Sequence, residues 1–403
     1  MTPTKILPPM ILGTAFAVLS VSADASDLLV SSYNSDKVHR FDSGSGAPLT
    51  ALGAAPGAQS IRFGPDGHLY VCAEKLDQVV RFDGQTGAPL GPFVFDDPNT
   101  PEDETGGLAG PTAAVFGPKG WLYVASFNSD EILRFDGTTG VFDKAFVTAG
   151  SGGLNGPDAG VTFHPDGSLL VPSFWSNRVI RYDGRTGAFL EVFAGPGGAP
   201  NLSRPRDLRF RSDGVLYVSS WASNRILRYG LDGTFFDLFA TPVRPTGLLI
   251  HPVTGTVLVA SDQSSDVKAF DAGGQGLPPL VTAGADGLNA TTFLELWPGA
   301  GVTLDRVSPG KAGVINSIEA EGFTPGGAAF LLVGVATTTT FLGACAAPLG
   351  VANPLIVPLT ADGSGAVSVS GAVPATASGA SAVLQIVEPS TCRASNLVIQ
   401  TFQ

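Results

Sequence analysis

The chain is poor in charge, cysteine and histidine. Of its 403 residues 14% are charged, and it has 3 Cys, 4 His and 2 Met. Acidic residues outnumber basic ones, which gives a formal net charge of -12 and argues against binding to a nucleic-acid backbone. Hydrophobic residues make up 44% of the chain, so there is enough apolar surface for a buried core and general disorder is excluded. The 52 glycines follow no three-residue period, which excludes a collagen-like chain.

A long apolar run occurs near the amino terminus and nowhere later in the sequence. Lys5 precedes it, the run extends from Ile11 to Val21, and Ala23-Asp24-Ala25 supplies small residues for cleavage. We therefore predict a signal peptide over residues 1–25, cleaved near Ala25, and export to the extracellular or periplasmic space. The alternative is a membrane anchor, but the run is shorter than the roughly 20 residues that span a bilayer.

The three cysteines fit an oxidising destination. Cys345 and Cys392 both lie near the carboxyl terminus, and we predict that they form one disulfide. Cys72 remains, within the apolar run Leu69-Tyr70-Val71-Cys72-Ala73. We predict that it is a buried small hydrophobic residue, since free cysteine is often buried in this way.

Two short patterns recur along the chain. One is an aromatic or apolar residue that leads into a Pro-Asp-Gly-like turn, and the other is an Arg-aromatic-Asp sequence at the end of an apolar run. The first is found at Phe63–Gly67, Phe116–Gly120, Phe163–Gly167, Phe210–Gly214 and Ile250–Gly255, and the second at Arg40–Asp42, Arg81–Asp83, Arg134–Asp136, Arg181–Asp183, Arg228–Gly230 and Ala269–Asp271. Their spacing of roughly 40 to 50 residues is the period of a propeller blade.

Each copy contains four short strand patterns. In one copy we predict strands at Gly160–Phe163, Leu169–Ser173, Arg178–Tyr182 and Phe189–Phe193, joined by Asp-Gly hairpins. The first copy begins at Leu28–Val30 without an initial strand, and the segment Thr291–Leu296 after the last copy can supply it. The pattern predicts an all-β, six-bladed β-propeller of four-stranded antiparallel blades, whose ring is closed by this late strand.

The repeats resemble those of a known group. The run from Trp121 to Asp136 is similar to an NHL repeat, and residues 27–299 resemble the secreted bacterial propellers of the NHL, SMP-30/gluconolactonase and streptogramin-lyase group. The resemblance implies a propeller domain over residues 26–299. It leaves the activity open, because the same fold carries enzymes and binding modules.

Beyond the repeats the composition changes. Residues 300–313 break the pattern and are predicted to form a linker, and residues 314–403 are rich in Ala, Gly, Thr, Ser and Val. Strands are predicted there at Asn316–Phe323, Ala329–Val335, Leu355–Leu359, Gly365–Ser370, Ala382–Val387 and Asn396–Phe402. Short strands separated by turns predict a small β-sandwich, which resembles the immunoglobulin-like modules of bacterial secreted proteins.

One face of the propeller carries the varied residues. The loops between the second and third strands of each blade and the connections between blades are expected to share this face. We predict that a ligand binds there through aromatic and charged side chains, namely Tyr33, Phe127, Asp158, Trp175, Arg206 and Trp221. Arg204, Arg206 and Arg244 would offer an anion site. In the alternative interpretation the rings are packing between blades and the Arg and Asp residues pair with each other.

Catalytic and metal-binding residues are not predicted. In gluconolactonase-like relatives the resemblance implies a divalent metal held by Glu, Asn and Asp, with the Asn in a Pro-Asn-Gly motif. The matching positions are Pro111-Thr112, Pro205-Arg206 and Pro245-Thr246, which lack suitable oxygen ligands. The sequence also lacks a nucleophile elbow or a zinc motif. His39 is placed within a strand, and Glu74 is interpreted as a solvated surface charge.

The sequence therefore predicts a secreted, monomeric binding protein without a cofactor. Its partner would be an extracellular glycan, peptide or protein, with no nucleic acid and no membrane span in the mature chain. The alternative is a hydrolase or lyase of the gluconolactonase or streptogramin-lyase kind with a non-standard site.

Overall fold

The computed structural model describes most of the repeat region and parts of the tail. The described residues are 27–195, 202–211, 213–251 and 255–297, followed by 303–304, 312, 314–321, 328–334, 337–342, 345–351, 355–362, 366–372, 376, 381–388, 393–394 and 398–401. The predicted signal peptide and Cys392, one partner of the predicted disulfide, lie outside them. Within them, no helix has the length and apolar character needed to cross a membrane.

Strands dominate residues 27–297. They are Asp27–Ser32 (β1), Lys37–Asp42 (β2), Pro48–Leu49 (β3), Ala58–Phe63 (β4), Leu69–Ala73 (β5), Gln78–Phe82 (β6), Pro89–Val94 (β7), Pro111–Phe116 (β8), Trp121–Ser126 (β9), Glu131–Asp136 (β10), Phe142–Val147 (β11), Thr162–Phe163 (β12), Leu169–Ser173 (β13), Arg178–Tyr182 (β14), Phe189–Ala194 (β15), Pro205–Phe210 (β16), Leu216–Ser220 (β17), Arg225–Tyr229 (β18), Phe235–Ala240 (β19), Pro245–Ile250 (β20), Val257–Ser261 (β21), Asp266–Phe270 (β22), Gly276–Val281 (β23) and Thr291–Trp297 (β24). Short 3-10 turns are found at Glu74–Leu76, Pro118–Gly120, Ser151–Gly153 and Ala285–Gly287.

These strands form four-stranded antiparallel sheets. In the described residues, sheet 1 has the order β24-β1-β2-β3, and sheets 2 to 6 take β4–β7, β8–β11, β12–β15, β16–β19 and β20–β23 in turn. Sheet 1 is the exception to sequential order, because its first strand comes from the far end of the repeat region. Leu28 faces Leu296 and Val30 faces Leu294 across the β1–β24 pair. The strand β24 therefore supplies the initial strand that the first copy lacks, as the sequence predicted.

Apolar side chains pack between consecutive sheets. Leu29 and Val71 belong to the core between sheets 1 and 2, and Val30 and Leu258 to the core between sheets 6 and 1. The second strand of each sheet is buried along its length because it has a packed layer on both faces, which explains why its sequence is almost continuously apolar. The first strands meet one another at the centre, as in the contacts of β4 with β8 and of β20 with β24.

A repeated hydrogen bond ties each sheet to the next. The loop after the second strand ends in a polar residue with positive φ, whose side chain accepts a hydrogen bond from the backbone N–H just before the first strand of the following sheet. The donor residue also has positive φ in every case. The acceptor–donor pairs are Asp36–Gly57, Asp77–Gly110, Asp130–Gly156, Asn177–Arg204, Asn224–Arg244 and Ser265–Ala290.

The Asp-Gly-x-Thr-Gly sequences form hairpin turns. In sheet 4, Asp183 Oδ1 accepts hydrogen bonds from the backbone N–H of Thr186 at 2.8 Å and from its hydroxyl at 2.8 Å. Gly187 closes the turn with φ of 79°, a conformation that glycine adopts without steric cost. The side chain of Asp183 therefore makes its hydrogen bonds within the turn.

The tail also consists of strands. They are Thr303–Leu304 (β25), Ile315–Glu321 (β26), Ala328–Gly334 (β27), Thr337–Leu342 (β28), Cys345–Val351 (β29), Leu355–Thr360 (β30), Val367–Ala372 (β31), Ser381–Glu388 (β32), Arg393–Ala394 (β33) and Val398–Thr401 (β34). The β28–β29 hairpin was not predicted. The short strand β25 lies within the predicted linker and pairs with β26 through Thr303–Glu321.

Candidate ligand-binding site

A cavity opens where the loops of the six sheets meet. It has a volume of about 250 Å³ and is lined by Tyr33, Gln59, Glu74, Thr112, Phe127, Asp158, Phe174, Arg206, Trp221, Asp262, Ala290 and Thr292. Tyr33, Phe127, Asp158, Arg206 and Trp221 were among the predicted site residues. The sixth, Trp175, is absent from the lining and lies beside it, with 51% of its surface exposed.

Arg206 occupies the charged part of the cavity. Its Nε donates to Asp158 Oδ2 at 2.9 Å, and its guanidinium lies 3.8 Å from Asp262. Burial disfavours the charged form of Arg206. The nearby carboxylates outweigh this effect and raise the pKa of Arg206 above its usual value; they belong to Asp158, Asp262 and Glu74. Burial raises the pKa of Asp158, although Arg206 opposes this rise. The predicted alternative of Arg–Asp pairing therefore holds for this residue.

Glu74 corrects the sequence-based interpretation. It was expected to be a solvated surface charge, but the 3-10 turn that begins at Glu74 places it in the cavity lining. Gln59 Nε2 donates to Glu74 Oε2 at 2.5 Å, and Gln59 Oε1 accepts from Arg206 at 3.3 Å. Its carboxyl group is partly withdrawn from water, and this burial raises the pKa of Glu74.

One oxygen in the cavity lacks a partner. Trp221 Nε1 donates to Asp262 Oδ2 at 2.7 Å. Asp262 Oδ1 is also buried, yet it has no hydrogen-bond partner among the described residues. A buried carboxylate oxygen without a donor is costly. The sequence did not single out Asp262.

Aromatic rings continue from the cavity onto its rim. Phe174 packs edge-on against Trp175 with centroids 4.8 Å apart, and lies 5.7 Å from Trp221. Phe127 contacts Phe174 at 5.9 Å. The rings thus pack on one another between loops, as the alternative interpretation expected, while Trp175 keeps half of its surface open to solvent.

Two arginines flank these rings. The guanidinium of Arg204 lies 4.8 Å from the Trp175 ring and 5.5 Å from the Trp221 ring, and that of Arg244 lies 4.5 Å from Trp221. Neither guanidinium makes an ion pair within the described residues. Both residues have positive φ, 52° for Arg204 and 37° for Arg244, where sheets 2, 3 and 4 carry glycine. Non-glycine residues in this conformation are strained and concentrate at functional sites.

Asp207 and Thr246, which also lie in the connections between blades, have structural roles. The carboxylate of Asp207 is fully buried and accepts from the backbone N–H of Leu208 and of Leu248. Thr246 donates to the carbonyl oxygen of Thr291 at 2.9 Å. These contacts hold neighbouring sheets together and do not face the cavity.

The cavity does not fit the metal of gluconolactonase-like proteins. Three carboxylates line it, but the guanidinium of Arg206 lies between Asp158 and Asp262, where it would repel a cation. Within the part of the chain that the structure describes, no group of three or more His, Cys, Asp or Glu side chains is placed to hold an ion.

Comparison with solved structures shows the fold. A nidogen/laminin complex matches with a TM-score of 0.55 at 12% identity, over 68% of this chain and 98% of that chain. A protein of unknown function from Bacteroides caccae matches with a TM-score of 0.51 at 13% identity, over 68% and 99% of the two chains. A putative gluconolactonase matches with a TM-score of 0.50 at 17% identity, over 63% and 87%. The fold is a β-propeller.

These matches do not decide the function of the propeller. They include a structure from a protein complex and a putative enzyme, so the fold is compatible with either role. No protein-family model matches the chain. No curated protein matches it either.

Proposed function

We propose that the protein is a secreted propeller that binds an acidic glycan at the mouth of the central cavity. The observation that carries the proposal is the rim of the cavity, where Trp175 is half exposed and the guanidinium groups of Arg204 and Arg244 lie over aromatic rings without an ion pair among the described residues. An acidic sugar fits both features, because its C–H face stacks on an aromatic ring and its acidic group pairs with a guanidinium.

The size of the cavity sets how the ligand would lie. About 250 Å³ is below the roughly 300–1,000 Å³ typical of pockets that enclose a whole small molecule. One terminal group would enter the cavity, and the rest of the glycan would lie over the rim at Trp175. An extended ligand of this kind is typical of a binding protein.

The charge of the rim favours an acidic ligand. Arg204 and Arg244 stack on Trp221 without an acidic partner among the described residues, so their outward N–H groups are available to a carboxylate or sulfate. The side chains that fix their loops are the neutral Asn177 and Asn224, whereas Asp is found at this place in sheets 1, 2 and 3. A neutral residue there leaves the guanidinium charge uncompensated.

We also propose a domain organisation for the chain. Residues 1–25 are a signal peptide, residues 26–299 a six-bladed NHL-like propeller, residues 300–313 a linker, and residues 314–403 an immunoglobulin-like β-sandwich with a Cys345–Cys392 disulfide. The closed order of the sheets and the cores between each consecutive pair support six blades.

Glycan and peptide arrays probed with the purified full chain would test the proposal. We expect binding to acidic glycans. Binding should fall about tenfold or more in Trp221→Ala, which loses the stacking ring. It should fall as much in the double variant Arg204→Gly/Arg244→Gly, since each lost charge-assisted contact is worth about 1.5–3 kcal/mol. Glycine is compatible with the backbone at both arginine positions. Arg185→Ala, in an exposed hairpin of sheet 4, is the control for loss of a positive charge elsewhere on the propeller.

The outcomes separate the possible ligands. Equal binding of neutral and acidic glycans would remove the role of the arginines, and capture of peptides alone would replace the glycan by a protein partner. Unchanged binding in Trp221→Ala would show that the cavity mouth is not the site.

A further inference from the structure

A serine, a histidine and an aspartate form a hydrogen-bonded row beside the cavity. Ser35 Oγ lies 2.8 Å from His39 Nε2, and His39 Nδ1 lies 2.8 Å from Asp286 Oδ2. The imidazole therefore uses both nitrogens, one toward a hydroxyl and one toward a carboxylate. This is the order of contacts in a nucleophile, base and orienting carboxylate.

The row lies on the same face as the cavity. Ser35 is in the loop between β1 and β2, two residues after Tyr33 of the lining. Asp286 is in the 3-10 turn Ala285–Gly287, in the connection that ends at Ala290, another lining residue. Two sheets that meet at the ring closure therefore contribute the three groups.

The repeats provide an internal comparison for His39. In every sheet the third residue of the third strand faces a valine on the second strand, as His39 faces Val30. The equivalent residues are Val80, Leu133, Ile180, Leu227 and Lys268. Four of the five are aliphatic, so an apolar residue is what the packing of this position requires. A fully buried histidine is not explained by the fold.

Asp286 departs from its repeat equivalent as well. The sequence Thr282-Ala-Gly-Ala-Asp-Gly-Leu288 matches Thr148-Ala-Gly-Ser-Gly-Gly-Leu154, in which Gly152 takes the place of Asp286. Asp286 has φ of 53°, close to the 63° of Gly152. An aspartate in this conformation is strained, yet its carboxylate reaches the ring of His39.

Ser35 is redirected relative to the other sheets. The equivalent serines are Ser129, Ser176, Ser223 and Ser264, and each hydroxyl contacts the hydroxyl of the serine three residues earlier, at 2.6–2.7 Å. Ser32 occupies that earlier position in sheet 1 and, like its equivalents, donates to a carbonyl oxygen in the connection before the first strand of its sheet, that of Asn289. The Ser35 hydroxyl faces the imidazole instead.

The electrostatics suit a general base. Burial lowers the pKa of His39, and Lys37 acts in the same direction, while Asp286 opposes both. The ring is then neutral near pH 7, with Nδ1–H donating to Asp286 and Nε2 free to accept the Ser35 proton. This assignment follows from the hydrogen-bond partners of the ring.

We propose that Ser35, His39 and Asp286 are the catalytic groups of an esterase site that takes small acyl esters. Ser35 Oγ attacks the ester carbonyl carbon as its proton passes to His39 Nε2. The ester C–O bond then breaks, and the alcohol leaves with that proton. Water attacks the acyl group on Ser35 and gives its proton to Nε2, which releases the carboxylic acid and returns the hydroxyl.

Access to this site comes from the loop side. Ser35 is half-buried, and a third of the Asp286 side chain is exposed, whereas His39 is enclosed. Asn34, next to Ser35, has an exposed amide that donates to Asn289 Oδ1 at 3.2 Å. The proposal goes beyond ligand binding at the cavity and does not depend on it.

A fluorophosphonate probe, which modifies activated serines, tests the proposal directly on the full chain. Peptide mapping should place the adduct on Ser35 in the natural protein and not in His39→Leu, where the histidine becomes the residue of sheets 3 and 5. Hydrolysis of p-nitrophenyl acetate should fall about 100-fold or more in Ser35→Ala and His39→Leu. Asp286→Gly, the residue found at its repeat equivalent, should reduce it as well.

Ser176→Ala is the matched control, because it removes an equivalent serine that contacts a second serine. We expect unchanged hydrolysis in this variant. Thermal unfolding identifies a variant that fails to fold, and the probe result on the unaltered chain stands independently of it. Absence of an adduct on Ser35 overturns the proposal. Hydrolysis of p-nitrophenyl acetate by His39→Leu at the rate of the unaltered protein also overturns it.

Discussion

At the scale of single residues, burial decides the chemistry of Cys72. The side chain is fully buried in β5, as predicted, and its only hydrogen bond within the described residues is from Ser60 at 3.5 Å. Burial raises the pKa of the Cys72 thiol to about 12. The thiolate, which is the reactive form, is therefore almost absent near neutral pH.

We predict that Cys72 resists alkylation until the propeller unfolds. Iodoacetamide at pH 8 should leave the Cys72 peptide unmodified in the folded chain and modify it fully in guanidinium chloride, as read by peptide mass spectrometry. Ser60→Ala should not increase the reactivity, because burial and not Ser60 sets the thiol pKa. Rapid alkylation of the folded chain would contradict the burial.

For several residues, their position in a loop was enough to predict that they lie at the cavity. Repeat spacing shows which loops share a face, and that information alone brings Tyr33, Phe127 and Trp221 to one cavity. It does not give side-chain direction. Glu74 was missed because the loop of sheet 2 turns into a 3-10 segment, and Asp262 because its partner Trp221 comes from the preceding sheet.

At the scale of structural elements, the same hydrogen bond recurs from sheet to sheet. It joins a side chain in the loop of one sheet to the backbone N–H just before the next sheet. Asp130 Oδ1 accepts from the backbone N–H of Gly156 at 2.6 Å, in a partly buried position. Asp130 also has φ of 60°, which Asp and Asn tolerate better than other side chains. One residue thus fixes both the loop and the entry of the following sheet.

We predict that Asp130→Gly, which suits the backbone but lacks the acceptor, lowers the free energy of unfolding by about 1–3 kcal/mol. Asp130→Asn, the residue type of sheets 4 and 5, should cost less than about 1 kcal/mol. Urea denaturation of the two variants measures the difference. Equal stability would mean that Gly156 finds another acceptor.

The strands themselves follow from their sequence to different degrees. In sheet 4 the second and third strands, Leu169–Ser173 and Arg178–Tyr182, have the predicted bounds, since burial on both faces makes them distinct. The first strand is shorter than predicted, Thr162–Phe163 in place of Gly160–Phe163. The N–H of Gly160 donates to the carbonyl oxygen of Arg206 in sheet 5, so this residue serves the contact between sheets.

At the scale of the whole molecule, closure depends on β24. Trp297 at its end is 3% exposed, donates from Nε1 to the carbonyl oxygen of Gly84 in sheet 2, and stacks under the guanidinium of Arg40 at 4.2 Å. This side chain therefore joins the last strand, the first sheet and the second sheet. The sequence indicated the closing segment but not this anchor, because Trp297 lies just beyond the repeat-like residues.

We predict that Trp297→Ala lowers the free energy of unfolding by about 3–5 kcal/mol, the usual loss for a buried tryptophan. Amide hydrogen exchange should accelerate in β1 and β24 before the other sheets. Trp121→Ala is the matched control, because Trp121 also stacks on an arginine, Arg134 at 4.4 Å, but lies in sheet 3. Faster exchange in β1 for both variants would contradict a special role of Trp297.

The β1–β24 pair also determines how the propeller responds to tension. Asp27 and Trp297 face each other on antiparallel strands, at the same end of the pair. A pulling force applied through these two residues would separate the strands from that end, one pair after another, and would not load the whole ladder in shear. The seam that completes the ring would therefore open by successive strand separation when force is applied to these two residues.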